Sequence, residues 1–110
     1  FLTVYPDIGN LTAWGNDVRE EILKGRHKIS AIHLKDTLAV TEDFPGKFKE
    51  VPFGQGCVDF VEFFKLLHEI DYSGPLLIEM WTEKSEDPLK EIENAKKWME
   101  SKMAEGGFKC

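Results

Sequence analysis

Three side chains in this sequence stand where a polar group either does chemistry or is costly to keep. Asp7 follows Val4-Tyr5-Pro6, His33 lies within Ala31-Ile32-His33-Leu34-Lys35-Asp36, and Glu79 lies within Leu77-Ile78-Glu79-Met80-Trp81. Two carboxylates and an imidazole make a mixed oxygen and nitrogen donor set, suited to a divalent ion such as Mn, Zn, Co or Mg more than to a soft thiophilic one. Each residue also has a plainer explanation. An Asp after proline serves as a turn or cap residue, and a strand histidine as a core group bonded to a backbone carbonyl. Glu79 is the hardest to explain away, because an unpaired carboxylate inside Leu-Leu-Ile-Glu-Met-Trp is heavily penalised unless a cation or hydrogen bonds compensate it.

A second candidate is the stretch Val51-Pro52-Phe53-Gly54-Gln55-Gly56, which leads into a helix start at Asp59. Gly54 and Gly56 allow close backbone approach, and a helix start offers N–H groups to an anion, so a phosphate or sugar oxygen fits there. A tight turn explains the same pattern. Trp14 and Trp81 lie just beyond strand ends and are candidate pocket walls, or simply core residues. His27, beside Arg26 and Lys28, and His68 on a helix flank read as surface groups. The Lys and Glu residues of the last helix read as a solvated face.

These residues converge only if the chain positions them on neighbouring strands, and the pattern of elements supports that. Phe1-Leu2-Thr3-Val4-Tyr5 reads as a buried strand ended by turn formers, already under way at the first residue, which suggests a chain cut from something longer. A polar stretch through Asn16 follows. A short helix runs from Asp17 to Lys24 and a strand from Lys28 to Leu34, the latter patterned for burial on both faces. Residues 38 to 57 read as a long loop. From Asp59, the residues Phe60, Phe63, Phe64, Leu67 and Ile70 recur at helical spacing while Glu62, Lys65 and Glu69 face out. Leu76 to Trp81 reads as a third buried strand. Asp87-Pro88 opens a last helix with an apolar stripe of Leu89, Ile92, Ala95, Trp98, Met99 and Met103.

The order is β-loop-α three times, which implies parallel strands joined by right-handed crossovers. In such α/β folds ligands bind outside the carboxyl ends of the strands, where Asp7, His33 and Glu79 fall. Three units are fewer than the eight strands, in about 250 residues, of a (β/α)8 barrel. They are also fewer than a doubly wound sheet commonly has.

Composition narrows the function classes. The chain has 110 residues, 42% hydrophobic and 31% charged, as expected of one soluble globular unit. A net charge of −6 argues against nucleic acid, whose affinity comes from clustered Lys and Arg. Cys57 and Cys110 form no CxxC pair, so reduced thiols and a cytoplasmic setting are expected. No apolar run reaches the ~18–20 residues of a membrane helix, and Phe1 to Tyr5, without a basic n-region, is not expected to be a signal peptide.

A family resemblance extends this reading. Tyr5-Pro6-Asp7-Ile8-Gly9-Asn10-Leu11, His33-Leu34-Lys35-Asp36-Thr37, Val51-Pro52-Phe53-Gly54-Gln55-Gly56 with Val58-Asp59-Phe60, and Leu77-Ile78-Glu79-Met80-Trp81 resemble the C-terminal part of one family. It comprises the L-ribulose-5-phosphate (L-xylulose-5-phosphate) 3-epimerases of bacterial ascorbate metabolism, within the xylose isomerase-like barrel superfamily. The resemblance covers nearly the whole chain. It implies that residues 1–110 are the last three βα units of a (β/α)8 TIM barrel, a partial barrel truncated at its N-terminus. It implies metal ligation by Asp7, His33 and Glu79, with a further Glu ligand upstream of Phe1. Glu79 would be one of two catalytic carboxylates that remove and return the C3 proton of a ketopentose 5-phosphate, with the metal stabilising the enediolate. Gly54, Gly56 and Trp81 are the expected substrate contacts and a small phosphorylated sugar the expected partner. The isolated chain is expected to be inactive, and its open sheet edges to drive homo-oligomer formation. The competing expectations are a zinc-dependent phosphodiesterase of the same superfamily, such as an apurinic endonuclease, and a non-catalytic half-barrel fragment or subunit.

Overall fold

The computed structural model describes residues 4–109. The first three residues of the expected opening strand, and Cys110, lie outside them. The elements in chain order are α1 (Ile8–Ala13), α2 (Val18–Gly25), β1 (Ile32–Leu34), α3 (Phe60–Glu69), β2 (Leu76–Ile78) and α4 (Pro88–Glu105). β1 and β2 pair in parallel, with Ile32, His33 and Leu34 opposite Leu76, Leu77 and Ile78. On the other side of β1, Val4 bridges Ile29 and Asp7 bridges His33, also in parallel. Three extended segments therefore run side by side in the order 4–7, 29–34, 76–78, with helices in the connections, as the alternation of elements predicts.

The regular part of each strand is shorter than the apolar run that announces it. Lys28 to Ser30 pair only through single bonds with Val4, whose N–H donates to Lys28 O at 2.8 Å and whose O accepts from Ser30 N at 3.0 Å. Residues 79 to 81 leave the ladder after one bond, Glu79 N to Leu34 O at 2.9 Å. The expected polar stretch after Pro6 is corrected to a helix. Asp7 caps α1, its Oδ1 accepting from Asn10 N at 2.9 Å, and Thr12 Oγ1 donates back to Ile8 O. Gly9 is needed there, because a Cβ would press on the carbonyl of Lys35 and the methyl of Thr37.

The core lies between the sheet and the helices. Ile32 and Leu34 of β1 are fully buried against Ile8, Ile22, Phe64, Leu67 and Met99. α3 buries the stripe its spacing predicts, and Asp59 caps it through Glu62 N at 3.1 Å. Phe53, Phe60 and Trp98 form an aromatic cluster that joins the 51–56 loop to α3 and α4, with centroids 5.4–5.8 Å apart. Two expectations of burial are corrected. β2 is not buried, since Leu77 is 47% exposed and Ile78 is also exposed. Its reason is topological: among the described residues β2 pairs with β1 alone, so one edge and part of one face have no neighbour. The α4 stripe buries only its second half, Ala95 and Met99. Leu89 is 80% exposed, because α4 meets α3 only toward its C-terminal end.

α4 starts where Asp87 Oδ1 accepts from Lys90 N at 3.1 Å, with Pro88 in the first turn. Since the first turn of α4 packs on little else, the cap carries much of its local order. Asp87→Ala is expected to destabilise by about 1 kcal/mol. A thermal melt would show a modest drop, and hydrogen exchange would show faster exchange confined to residues 88–92. No helix among the described residues is long and apolar enough to cross a membrane.

Candidate metal centre

Backbone pairing brings the three candidate residues together before any side-chain contact is considered. Asp7 is bridged to His33, and His33 N donates to Pro6 O at 2.9 Å. His33 is paired with Leu77, and Glu79 lies two residues further along the same strand direction. Residues two apart on a strand share a face, so His33, Lys35, Leu77 and Glu79 project to one side of the sheet, opposite the buried Ile32 and Leu34. One donor atom from each of Asp7, His33 and Glu79 lies within 4.8 Å of the others. His33 Nδ1 is 3.9 Å from Glu79 Oε2.

This geometry fits a divalent ion. Donors each about 2.0–2.2 Å from a common ion are at most about 4.4 Å apart, so small side-chain rotations would close the set. Two carboxylate oxygens and an imidazole nitrogen are donors that Zn and Mn accept. All three residues are half-buried, which leaves an open side for further ligands.

The sequence reading missed the charge that completes this cluster. Lys35 is 7% exposed at its side chain, and its Nζ lies 3.2 Å from Asp7 Oδ2 and 3.8 Å from Glu79 Oε2. It also faces the ring of Trp81, 5.9 Å from the centroid. The signal for it was present: a lysine two residues after His33, at the end of an apolar strand, must point where the histidine points. Asp7 divides its oxygens, Oδ1 to the α1 cap and Oδ2 toward Lys35.

The N–H groups of Gly54 and Gly56, expected to face an external anion, are given to an internal one, both donating to Asp36 Oδ2 at 2.9 and 3.0 Å. Asp36 Oδ1 accepts from Thr37 N at 3.0 Å and Val58 N at 3.2 Å. The loop therefore folds as an anion cradle, but a side chain of the protein occupies it, and these amides are not free for a phosphate or sugar oxygen. Asp36 is 1% exposed, and four N–H groups are what make its burial tolerable. Thr37 adds a bond from Oγ1 to Gly9 O at 2.7 Å and accepts Cys57 N at 2.8 Å. Residues 36 and 37 thus lock the end of β1 to α1 and to the 54–58 loop.

Trp81 borders the centre through Lys35 and lines a groove of about 470 Å³ with Val51, Phe53, Lys84 and Trp98. Trp14 instead packs on Phe48 at the surface, with centroids 5.7 Å apart. His27 and His68 are exposed, as expected of surface groups, and Cys57 is an exposed free thiol.

Parallel βα units with a metal-type donor set at the strand ends define the class: an α/β protein whose candidate site lies at the carboxyl side of a parallel sheet. The family follows from comparison. Residues 1–102 match the family model of the xylose isomerase-like TIM barrel, and the chain belongs to that family. It is 58% identical over its whole length to SgbU of Escherichia coli strain K12, which is provisionally named an L-ribulose-5-phosphate 3-epimerase. It is 50% identical, over 96% of its length, to the L-ribulose-5-phosphate 3-epimerase UlaE of Escherichia coli O1:K1. The chain spans 38% of the first relative and 35% of the second. Among solved structures, a xylose isomerase domain protein from Planctomyces limnophilus superposes with a TM-score of 0.70 at 25% identity, over 92% of this chain and 35% of that one. The partial-barrel expectation agrees with these coverages at the level of the family fold.

Proposed function

We propose that this chain supplies the metal-binding strand ends and one proton carrier of a sugar-phosphate epimerase that acts at C3 of a ketopentose 5-phosphate. The observation that carries the reading is the convergence of Asp7, His33 and Glu79 within 4.8 Å, in a chain 58% identical to a relative named for that activity. The donor set answers to the chemistry, because loss of the C3 proton puts negative charge on the C2 oxygen, next to the hydroxyl oxygen at C3. Asp7, His33 and Glu79 would hold a divalent ion, whose positive charge would stabilise that oxygen.

The remaining work falls to side chains. Glu79 is the carboxylate that takes the proton from C3 on one face, becoming the carboxylic acid, and returns it in the reverse direction. Inversion requires a second carrier on the opposite face, which the family resemblance assigns to a Glu outside these 110 residues. The chain alone is therefore proposed to be inactive. Asp7 and His33 hold their positions through backbone pairing and the α1 cap. Trp81 forms a wall against which the sugar carbons can lie, screening the reacting carbon from water.

The test uses the full-length protein that carries this chain, with L-ribulose 5-phosphate as substrate. Epimerisation, followed by NMR with incorporation of solvent deuterium at C3, should disappear after treatment with a chelator and return with Mn²⁺. Full activity after exhaustive chelation would refute the metal-dependent reading.

A further inference from the structure

The Asp7, His33 and Glu79 cluster holds a group that no metal ligand set requires. We propose that Lys35 is a resident counter-cation of this site, weakening its hold on a divalent ion and offsetting carboxylate charge so that the loaded site accepts an oxyanion. The inference rests on the metal-dependent reading above and extends it to a residue outside the ligand set.

Lys35 Nζ lies 3.2 Å from Asp7 Oδ2 and 3.8 Å from Glu79 Oε2, oxygens of the same two carboxylates that would hold the ion. Its side chain is almost fully buried, with Trp81 over it, so the ammonium has little water to stand in for those partners. Burying an ammonium is unfavourable without paired anions, and the two carboxylates provide the pairing. Conversely, two carboxylates facing each other repel, and the lysine holds them together before any ion arrives.

The charge balance sets the consequence. With the further Glu that the family resemblance places upstream, three carboxylates and a neutral imidazole around a divalent ion would leave the site at −1, and Lys35 would bring it to neutral. That added positive charge opposes ion binding and favours a ligand whose oxygens bear developing negative charge. A purely structural lysine would act otherwise, since its removal would let the ligands drift and loosen the ion.

The experiment measures Mn²⁺ affinity of the full-length protein by electron paramagnetic resonance of the free ion, for the unaltered protein, Lys35→Met and Lys35→Arg. Lys35→Met is expected to bind Mn²⁺ at least about tenfold more tightly, and Lys35→Arg within about twofold of the unaltered protein. Inorganic phosphate should bind the Mn²⁺-loaded Lys35→Met protein more weakly than the loaded unaltered one. Equal or weaker Mn²⁺ affinity in Lys35→Met, with a melting curve showing it folded, would overturn the proposal. If Lys35→Met does not fold, Lys35→Gln takes its place, with the same tightening expected and the same outcome decisive against it. Absence of Mn²⁺ binding in the unaltered protein would bring down the metal-dependent reading and this proposal with it. Binding there without tightening in the variant defeats this proposal alone.

Discussion

Glu79→Gln is expected to lower epimerisation by about a thousandfold or more in the full-length protein, through kcat rather than KM. The substitution keeps the volume of the side chain and its place beside Leu34 O, which is set by the backbone N–H of residue 79. What it removes is the charge, and with it both the ability to accept the C3 proton and one anionic donor for the ion. It also leaves the Lys35 ammonium facing Asp7 alone. One measurement separates the losses. Deuterium incorporation at C3 should cease even when Mn²⁺ is raised far above the amount that saturates the unaltered protein, because excess ion restores occupancy of the site but not a base. A variant retaining turnover within tenfold of the unaltered protein would exclude Glu79 as proton carrier.

The second large effect concerns stability. Asp36→Ala is expected to destabilise by about 3–5 kcal/mol, since it takes the shared acceptor from the N–H groups of Thr37, Gly54, Gly56 and Val58 together. A change of that size is a large share of the stability of a typical domain and should be plain in a urea titration. Gly56→Ala strikes the same contact from the other side, because a Cβ there would overlap Asp36 Oδ1 and the carbonyl oxygen of Thr37. The two changes should therefore fall short of additive, since shortening Asp36 to Ala relieves one of the two overlaps and leaves the one with the Thr37 carbonyl. Additive losses would show that the glycine and the aspartate serve separate purposes.

The sequence made some of this legible and hid the rest for physical reasons. α3 was readable because its phenylalanines and leucines repeat at 3.6 residues with a capping Asp in front, and local pattern alone fixes such a helix. α1 was not, since Ile8-Gly9-Asn10-Leu11-Thr12-Ala13 is too short and too rich in weak helix formers. It exists because Asp7 caps it and Gly9 lets it lie against the end of β1. The strands were recognisable as apolar runs, but their burial was not, because whether Leu77 is covered depends on neighbours that its own sequence does not contain. At the site, Asp7, His33 and Glu79 were found from their place at strand ends. Lys35 and Asp36 follow the strand with no periodicity or motif that marks either one. A glycine loop that looks made for an external anion had a partner supplied by the protein, and no local pattern distinguishes the two.

The divided carboxylate of Asp7 bears on the denticity of the site. With Oδ1 committed to the amide of Asn10, chelation through both oxygens would require giving up the start of α1, so Asp7 would offer a metal one oxygen only. Asp7, His33 and Glu79, each giving one atom, would leave room for further ligands. Two adjacent hydroxyl or carbonyl groups of a sugar would be well matched to that room.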